Sequence, residues 1–192
     1  MQLGGRAAFV VRLVLAATLG ASYGLYGPAF ELLEATPREP GAEEYLNSEK
    51  YEVRHWNLDR PDSLRDLIAR VNGIRRANPA LHSNESLTFH GIDDEQMIAY
   101  SKAPALDESG STILTVVNLD PYHAHSAWVD VGRDASGSSA GVSYQVRDLL
   151  TDTGYLWEGD EAFVELDPRT MPAAIFQITR RARRERDFEY FY

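Results

Sequence analysis

The 192-residue sequence contains no cysteine. A disulfide framework, a thiolate zinc site and a cysteine nucleophile are therefore excluded. Positive charge is also scarce, because 19 Lys and Arg residues stand against 29 Asp and Glu residues, for a formal net charge of -10. Such a surface repels phosphodiester backbones, which argues against a nucleic acid as partner. The sequence also lacks a glycine-rich phosphate loop and a Gly-x-Ser-x-Gly nucleophile elbow.

A long apolar run is missing as well. The first 24 residues are too short and too charged to span a membrane, since Arg6 and Arg12 interrupt them. Phe9, Leu13 and Ala17 recur at helical spacing on one side of the segment. The pattern favours a buried helix over residues 6–19. A secretory signal peptide ending near Ala21 is the alternative, and Arg12 inside its apolar part argues against it.

The pattern of elements changes near residue 85. Before it, the sequence predicts a helix over residues 6–19, a short strand over 22–26, a loop over 28–60 and a second helix. Asp62 or Ser63 would cap the second helix, which would end at Asn78 before Pro79. The long loop carries the aromatic residues Phe30, Tyr45, Tyr51 and Trp56, so we interpret it as an ordered binding loop.

Short strands alternating with turns follow residue 85, a pattern typical of an antiparallel β-sandwich. The predicted strands are Leu87–Phe89, Met97–Lys102, Thr112–Leu119, Ala127–Val131, Val142–Asp148, Tyr155–Trp157, Ala162–Leu166 and Ala174–Ile178.

The helix, strand, loop and helix of the first part do not make a closed architecture. A strand followed by a loop and a helix is one βα unit, and a (β/α)8 barrel needs eight of them. The strand over residues 22–26 would have no neighbouring strand, so its backbone groups would be unpaired on both edges. The sequence thus predicts that this part belongs to a larger barrel.

Two runs in this first part are familiar. The run from Ser22 to Glu31 contains Tyr-Gly-Pro-Ala-Phe-Glu, and the run from Glu44 to Trp56 contains Ser-Glu-Lys-Tyr-Glu. Both runs, and the ending from Glu185 to Phe191, resemble the alpha-1,4-glucan:maltose-1-phosphate maltosyltransferases, a family within the α-amylase superfamily (glycoside hydrolase family 13).

The resemblance implies a fold, a (β/α)8 barrel followed by a C-terminal β-sandwich. Residues 1–82 would be the C-terminal part of the catalytic barrel, residues 83–180 the sandwich and residues 181–192 a tail. The implied activity moves maltosyl units from maltose 1-phosphate to the non-reducing end of an α-1,4-glucan, with release of phosphate and retention of configuration. The family also implies a homodimer. The absence of cysteine fits the cytoplasm, and we expect no cofactor and no metal.

The catalytic carboxylates of the superfamily come from barrel strands four, five and seven, which would lie before Met1. We therefore assign no catalytic residue and expect the isolated chain to be inactive. The resemblance places the family's donor-site pair on Lys50 and Tyr51. A lysine ammonium offers three donors to sugar hydroxyls, and a tyrosine ring offers a flat apolar face with a polar tip.

Other residues have weaker functional interpretations. His123 and His125 are spaced for a metal pair on a strand, but no third ligand is evident and we favour polar loop residues. His55 could line a sugar site or pack under the loop. Glu31 and Glu34 could touch substrate, whereas Glu43 and Glu44 are interpreted as solvated. The Arg-rich segment over residues 180–186 is typical of a solvated tail.

Five aromatic residues of the sandwich could stack on carbohydrate, although aromatics spaced through strands are more often core. They are Trp128, Tyr144, Tyr155, Trp157 and Phe163.

Two other functions remain open. One is a secreted β-sandwich that binds glucan, with the first 24 residues as its signal. The other is the tail of a related hydrolase or trehalose-converting enzyme, against which the Ser-Glu-Lys-Tyr-Glu run argues.

Overall fold

The computed structural model of this chain describes residues 1–105, 110–132 and 143–179. Its helices are α1 (Gly5–Leu19), the short α2 (Gly27–Glu31), α3 (Arg65–Ala77) and one turn of 3-10 helix (Pro79–His82). None of the described helices has the length and apolar character needed to cross a bilayer.

The strands follow the helices in the chain. They are β1 (Thr88–Phe89), β2 (Met97–Lys102), β3 (Thr112–Asn118), β4 (His125–Asp130), β5 (Ser143–Asp148), β6 (Gly154–Glu158), β7 (Glu161–Leu166) and β8 (Ala173–Thr179). Six of them form one sheet in the order β1-β2-β3-β8-β5-β6, and β4 pairs with β7 in a second sheet. All pairs are antiparallel.

The two sheets enclose one apolar core, which includes Leu114, Val129 and Val164. The alternating burial of β4 and β7 results from this packing, because one face of each strand meets the core and the other meets solvent. All seven residues of β3 are buried, since helices cover the other face of its sheet. The antiparallel sandwich predicted from the strand pattern is confirmed.

Helix α1 packs on the outer face of the large sheet. Phe9, Leu13 and Val14 are almost fully buried there and share a second core with Ile113 and Ile175. Arg12 lies on the exposed side of the helix. The prediction of a buried helix is confirmed, and the apolar periodicity is its cause.

Helix α3 lies beside α1. Val71 and Ile74 enter the same core, and the Ser63 hydroxyl accepts a hydrogen bond from the Arg65 N–H at 3.1 Å at the start of the helix. The helix ends before Asn78, as the following proline predicts.

The strand predicted over residues 22–26 is wrong. This segment has no regular secondary structure and is followed by α2, which begins at Gly27 with Pro28 in its first turn. A strand exists only where a neighbour completes its hydrogen bonds, and the segment lies between helices instead. Tyr23 and Leu25 pack their side chains against the helical core.

The eight predicted strands are all present, with ends that agree to within two residues. Three sequence predictions lie outside the described residues: the turn near 136–141 together with Val142, the Arg-rich segment over 180–186, and the tail over 181–192.

Candidate functional site

Residues 32–64 form the long loop, and both of its ends are fixed. Leu32 and Leu64 are buried, and the Leu64 N–H donates to the Glu31 carbonyl at 2.8 Å. Within the loop, the Leu46 N–H donates to the Thr36 carbonyl at 2.7 Å and the Arg38 N–H to the Glu44 carbonyl at 2.9 Å. Residues 36–46 therefore form a small hairpin rather than an irregular segment.

A second turn in the loop presents the predicted sugar-binding pair. The Tyr51 N–H donates to the Ser48 carbonyl at 2.9 Å, and Asn47 has a left-handed backbone with φ of 55°. Ser48 is buried while Lys50 and Tyr51 point outward. The side chain of Lys50 is 64% exposed, so its ammonium group is accessible to a ligand.

Glu44 joins this pair to the hairpin. Its carboxylate accepts from the Lys50 ammonium at 2.6 Å and from the Tyr51 hydroxyl at 3.0 Å. The Arg38 guanidinium lies 3.5 Å from the same carboxylate and 4.5 Å from the centre of the Tyr51 ring. The Lys50 nitrogen is 5.1 Å from that ring. One carboxylate and one aromatic ring thus hold two cations in place.

The charges at this cluster shift the titration of its members. Hydrogen bonds from Lys50 and then Tyr51 hold the pKa of the Glu44 carboxyl below its usual value, and the hydrogen bond to Glu44 raises the pKa of Lys50. Lys50 is therefore cationic and Glu44 anionic at neutral pH. The ammonium keeps two N–H donors beyond the one that Glu44 accepts.

A second network holds the other side of the loop together. The Arg54 guanidinium pairs with Glu34 at 3.0 Å, and both side chains are mostly buried. It also stacks 4.0 Å from the Trp56 ring centre and donates to the Leu46 carbonyl at 3.2 Å. Glu49 accepts from the Trp56 indole at 2.8 Å. Trp56, one of the aromatic residues that predicted an ordered loop, is therefore part of the network that orders it.

The geometry brings Lys50 and Tyr51 together, and it adds Glu44 and Arg38, which sequence reasoning missed. Glu44 was interpreted as solvated, but it accepts hydrogen bonds from both members of the pair. Its charge opposite to Lys50 was the only signal in the sequence. A spacing of six residues in a loop has no fixed geometry, so that signal is weak.

Two of the other candidates, Glu31 and Glu34, contact side chains of this chain, and the other two, Glu43 and His55, are exposed. Glu31 accepts from the Ser63 hydroxyl at 3.2 Å, and Glu34 pairs with Arg54. His55 is exposed, so it does not pack under the loop. Glu43 is exposed, as predicted.

His123 and His125 interact with carboxylates. His125, at the start of β4, lies 2.7 Å from Asp94 and 3.4 Å from Asp120. His123 lies 2.7 Å from Asp120. Among the residues with described positions, no three His, Asp or Glu side chains are arranged to hold a metal ion. The interpretation as loop residues fits His123, which precedes β4, whereas His125 is the first residue of that strand.

The aromatic residues of the sandwich divide into two groups. Tyr144 is buried and Trp157 is partly buried, as expected for core residues. The expectation is wrong for Trp128, Tyr155 and Phe163, which are 51%, 44% and 51% exposed. Trp128 and Phe163 face each other across β4 and β7 on the side that points away from the core.

Comparison with protein families assigns the second half of the chain. Residues 89–178, which cover every strand except the beginning of β1 and the end of β8, match the family model described as GLGE, C-terminal. These residues form a GLGE C-terminal domain.

The similarity extends beyond the GLGE C-terminal domain into the helices and the loop. The chain is 42% identical over 184 residues to the alpha-1,4-glucan:maltose-1-phosphate maltosyltransferase of Chlorobaculum tepidum, covering 93% of this chain and 27% of that protein. It is 47% identical over 192 residues to the protein of the same name from Corynebacterium glutamicum, covering 97% and 28%. The chain thus spans little more than a quarter of the length of these relatives.

Solved structures with low sequence identity share the fold. The maltogenic α-amylase AmyB of Thermotoga neapolitana superposes with a TM-score of 0.61 at 16% identity, covering 90% of this chain and 36% of that one. The α-amylase of Geobacillus thermoleovorans, complexed with acarbose, gives 0.57 at 15% identity, with coverage of 91% and 34%. At these identities the likeness describes the arrangement of helices and strands alone.

Proposed function

We propose that this chain is part of a maltosyltransferase that moves maltosyl units from maltose 1-phosphate to the non-reducing ends of α-1,4-glucans. The proposal rests on how much of the chain the sequence similarity covers. Identity of 42–47% covers 93–97% of the chain, so it includes the loop with Lys50 and Tyr51 as well as the GLGE C-terminal domain.

Within that protein, residues 1–82 would complete a (β/α)8 barrel, residues 83–180 would form the sandwich and residues 181–192 a tail. The order of α1, a segment without regular secondary structure, the short α2, a long loop and α3 is compatible with the last part of such a barrel. The chain covers only 27–28% of the length of these relatives, which supports the proposal that other parts of the protein supply the catalytic centre. A retaining mechanism needs two carboxyl groups about 5–5.5 Å apart, and we assign neither of them to this chain.

The role of this chain in the reaction would be to hold the donor. The exposed Lys50 ammonium has N–H donors beyond the one that Glu44 accepts, which would serve sugar hydroxyls or phosphate oxygens, and the Tyr51 ring presents an apolar surface at its side. Arg38 adds a second positive charge near the same ring. This arrangement suits a sugar that carries a phosphate dianion.

The proposal also includes a cytoplasmic homodimer. A net charge of -10 and the absence of cysteine suit the cytoplasm.

The test is a transfer assay on the protein in its full natural length. Maltose 1-phosphate and maltohexaose are supplied, and released phosphate is measured together with products that are longer by two glucose units. Lys50→Ala is expected to raise KM for maltose 1-phosphate by at least about tenfold, the effect of losing a hydrogen bond to a charged group. Arg60→Ala is the matched control, because Arg60 is also an exposed loop cation that pairs with a carboxylate.

Transfer from trehalose or starch without use of maltose 1-phosphate would contradict the proposed activity. An equal effect of Lys50→Ala and Arg60→Ala would instead contradict the assignment of Lys50 to the donor site.

A further inference from the structure

A cleft of about 540 Å³ opens between β6 and β7, at the side where the two sheets separate. Its volume lies within the range of ordinary small-molecule sites. Four aromatic residues line it, namely Tyr155, Trp157, Phe163 and Phe176. Tyr155 and Phe163 are about half exposed, and Phe176 is buried.

The rings of the cleft support each other. Trp157 and Phe176 meet edge to face with centres 4.9 Å apart, and Tyr155 meets Phe176 in the same way at 6.0 Å. Because Phe176 belongs to the core of the sandwich, it anchors both neighbours. Tyr155 and Trp157 are thus held before any ligand arrives, which lowers the entropy that binding would cost.

The polar groups of the cleft are hydroxyls and carboxylates. Thr151, Thr153 and Thr170 contribute hydroxyls, and Glu165 contributes an exposed carboxylate that makes no hydrogen bond or ion pair to the described residues. Asp148 is already used, since it accepts from the Leu150 N–H at 3.0 Å and the Thr151 hydroxyl at 2.5 Å. No described Lys or Arg lines the cleft. Anionic ligands are therefore disfavoured, and a neutral ligand with many hydroxyls is favoured.

The aromatic surface continues out of the cleft. Phe163 stacks against Trp128 with ring centres 5.4 Å apart on the outer face of the small sheet. A ligand longer than the cleft could therefore continue along this face. Exposed aromatic rings grouped in this way are typical of binding surfaces.

We propose that the cleft between β6 and β7 binds a segment of α-1,4-glucan, with Tyr155 and Phe163 stacking on glucose rings and Glu165 accepting from their hydroxyls. The apolar faces of a pyranose match the rings, and its hydroxyls match the threonines and the carboxylate. The choice of α-1,4-glucan rests on the proposed function. The site would hold the polymer on the side of the large sheet opposite α1 and α3.

Amide hydrogen exchange, measured on the protein in its full natural length, tests the site. Maltoheptaose is the probe, and cellohexaose is the comparison oligosaccharide. Maltoheptaose is expected to slow exchange in peptides that cover β6 and β7. Unchanged exchange there at saturating maltoheptaose would overturn the proposal, and so would equal protection by cellohexaose.

Native electrophoresis in gels that contain glycogen gives a second readout. Phe163→Ala and Tyr155→Ala are each expected to weaken retardation by about tenfold, the effect of removing an aromatic anchor. Phe163→Tyr keeps the ring and should retain binding. Phe89→Ala is the matched control, because Phe89 is 60% exposed and lies on β1 at the opposite edge of the sheet. If glycogen retards both alanine variants as strongly as the wild type, the proposal is contradicted.

The two proposals fail in different ways. Phe163→Ala is expected to weaken the glucan site only. Phosphate release from maltose 1-phosphate with a short acceptor should therefore be unchanged in this variant. Absence of any transfer, together with retardation in glycogen that depends on Tyr155, would contradict the proposed function and support the cleft as a glucan site.

Discussion

The Lys50 ammonium lies 2.6 Å from the Glu44 carboxylate, and the same carboxylate accepts from the Tyr51 hydroxyl at 3.0 Å. Glu44 belongs to the hairpin over residues 36–46, whereas Lys50 and Tyr51 belong to the following turn. One side chain therefore fixes the positions of Lys50 and Tyr51 relative to the rest of the loop.

Replacing Glu44 by Gln is expected to raise KM for maltose 1-phosphate by about two- to fivefold, the effect of losing one exposed ion pair. The neutral amide keeps the shape of the side chain but loses the charge that holds Lys50. We expect little change in kcat, because Glu44 would position donor contacts and does not reach the reacting atoms. Steady-state kinetics of the full-length protein at several donor concentrations separate the two constants.

Glu43→Gln is the control for Glu44→Gln, since Glu43 is the exposed neighbour in the same hairpin. Equal KM values for the two variants would show that the contact with Lys50 has no role in donor binding.

The elements predicted correctly are those whose pattern is set by burial. The apolar stripe with Phe9 and Leu13 predicts α1 because a helix must bury one side. Alternation in β4 and β7 predicts strands for the same reason. The strand over residues 22–26 failed because no neighbouring strand completes its hydrogen bonds, and a side-chain pattern alone does not supply one. Tyr23 and Leu25 pack against the helical core instead, and Tyr26 is exposed.

The candidate site was less predictable. Lys50 and Tyr51 were found through a family resemblance, and no spacing rule pointed to them. Glu44 was missed because loop geometry decides which charges meet. The exposure of Trp128 and Phe163 was missed because aromatic residues in strands are more often core, and that expectation was given more weight than the alternation of β4 and β7. Both rings lie on the exposed face of these strands, together with polar residues.

The His125 contacts predict a pH dependence at the start of β4. The hydrogen bond to Asp94, with a smaller effect of Asp120, raises the pKa of His125. Because the pKa of His125 is higher in the folded state, its contacts stabilise the fold fully at pH values below the unfolded-state pKa of about 6.5. This stabilisation is lost as the pH rises through the folded-state pKa of His125. The carboxylates have the opposite sense, and the pKa of Asp120 is lowered to about 2, first by the Tyr122 N–H and then by His123. The network is therefore complete at about pH 5–6.

Hydrogen exchange of the β4 amides measures this effect. His125→Gln is expected to accelerate exchange relative to wild type at pH 5.5, with a smaller difference at pH 8.5 where less of the histidine is protonated. Comparing variant and wild type at the same pH removes the intrinsic pH dependence of exchange. His55→Gln, at an exposed histidine of the loop, should show no difference at either pH. A larger effect of His125→Gln at pH 8.5 would contradict the assigned sign.

Arg75 connects the two long helices. Its guanidinium donates to the carbonyls of Gly20 at 3.1 Å and Ala21 at 2.8 Å, and also to Ala17, at the end of α1. It lies 5.2 Å from the Tyr23 ring centre. The last carbonyls of a helix have no partner within the helix, and a cation there is favourable.

Arg75→Met is therefore expected to lower the free energy of opening at the end of α1 by about 2 kcal/mol, the scale of hydrogen bonds from a charged donor. Methionine keeps most of the aliphatic length, so the loss reports the guanidinium contacts. Arg76→Met is the matched control, because Arg76 is the exposed next residue of α3. Exchange of the amides near residues 17–21 provides the measurement. If both variants open with the same free energy, the carbonyls of α1 are satisfied by water and Arg75 does not hold the helices together.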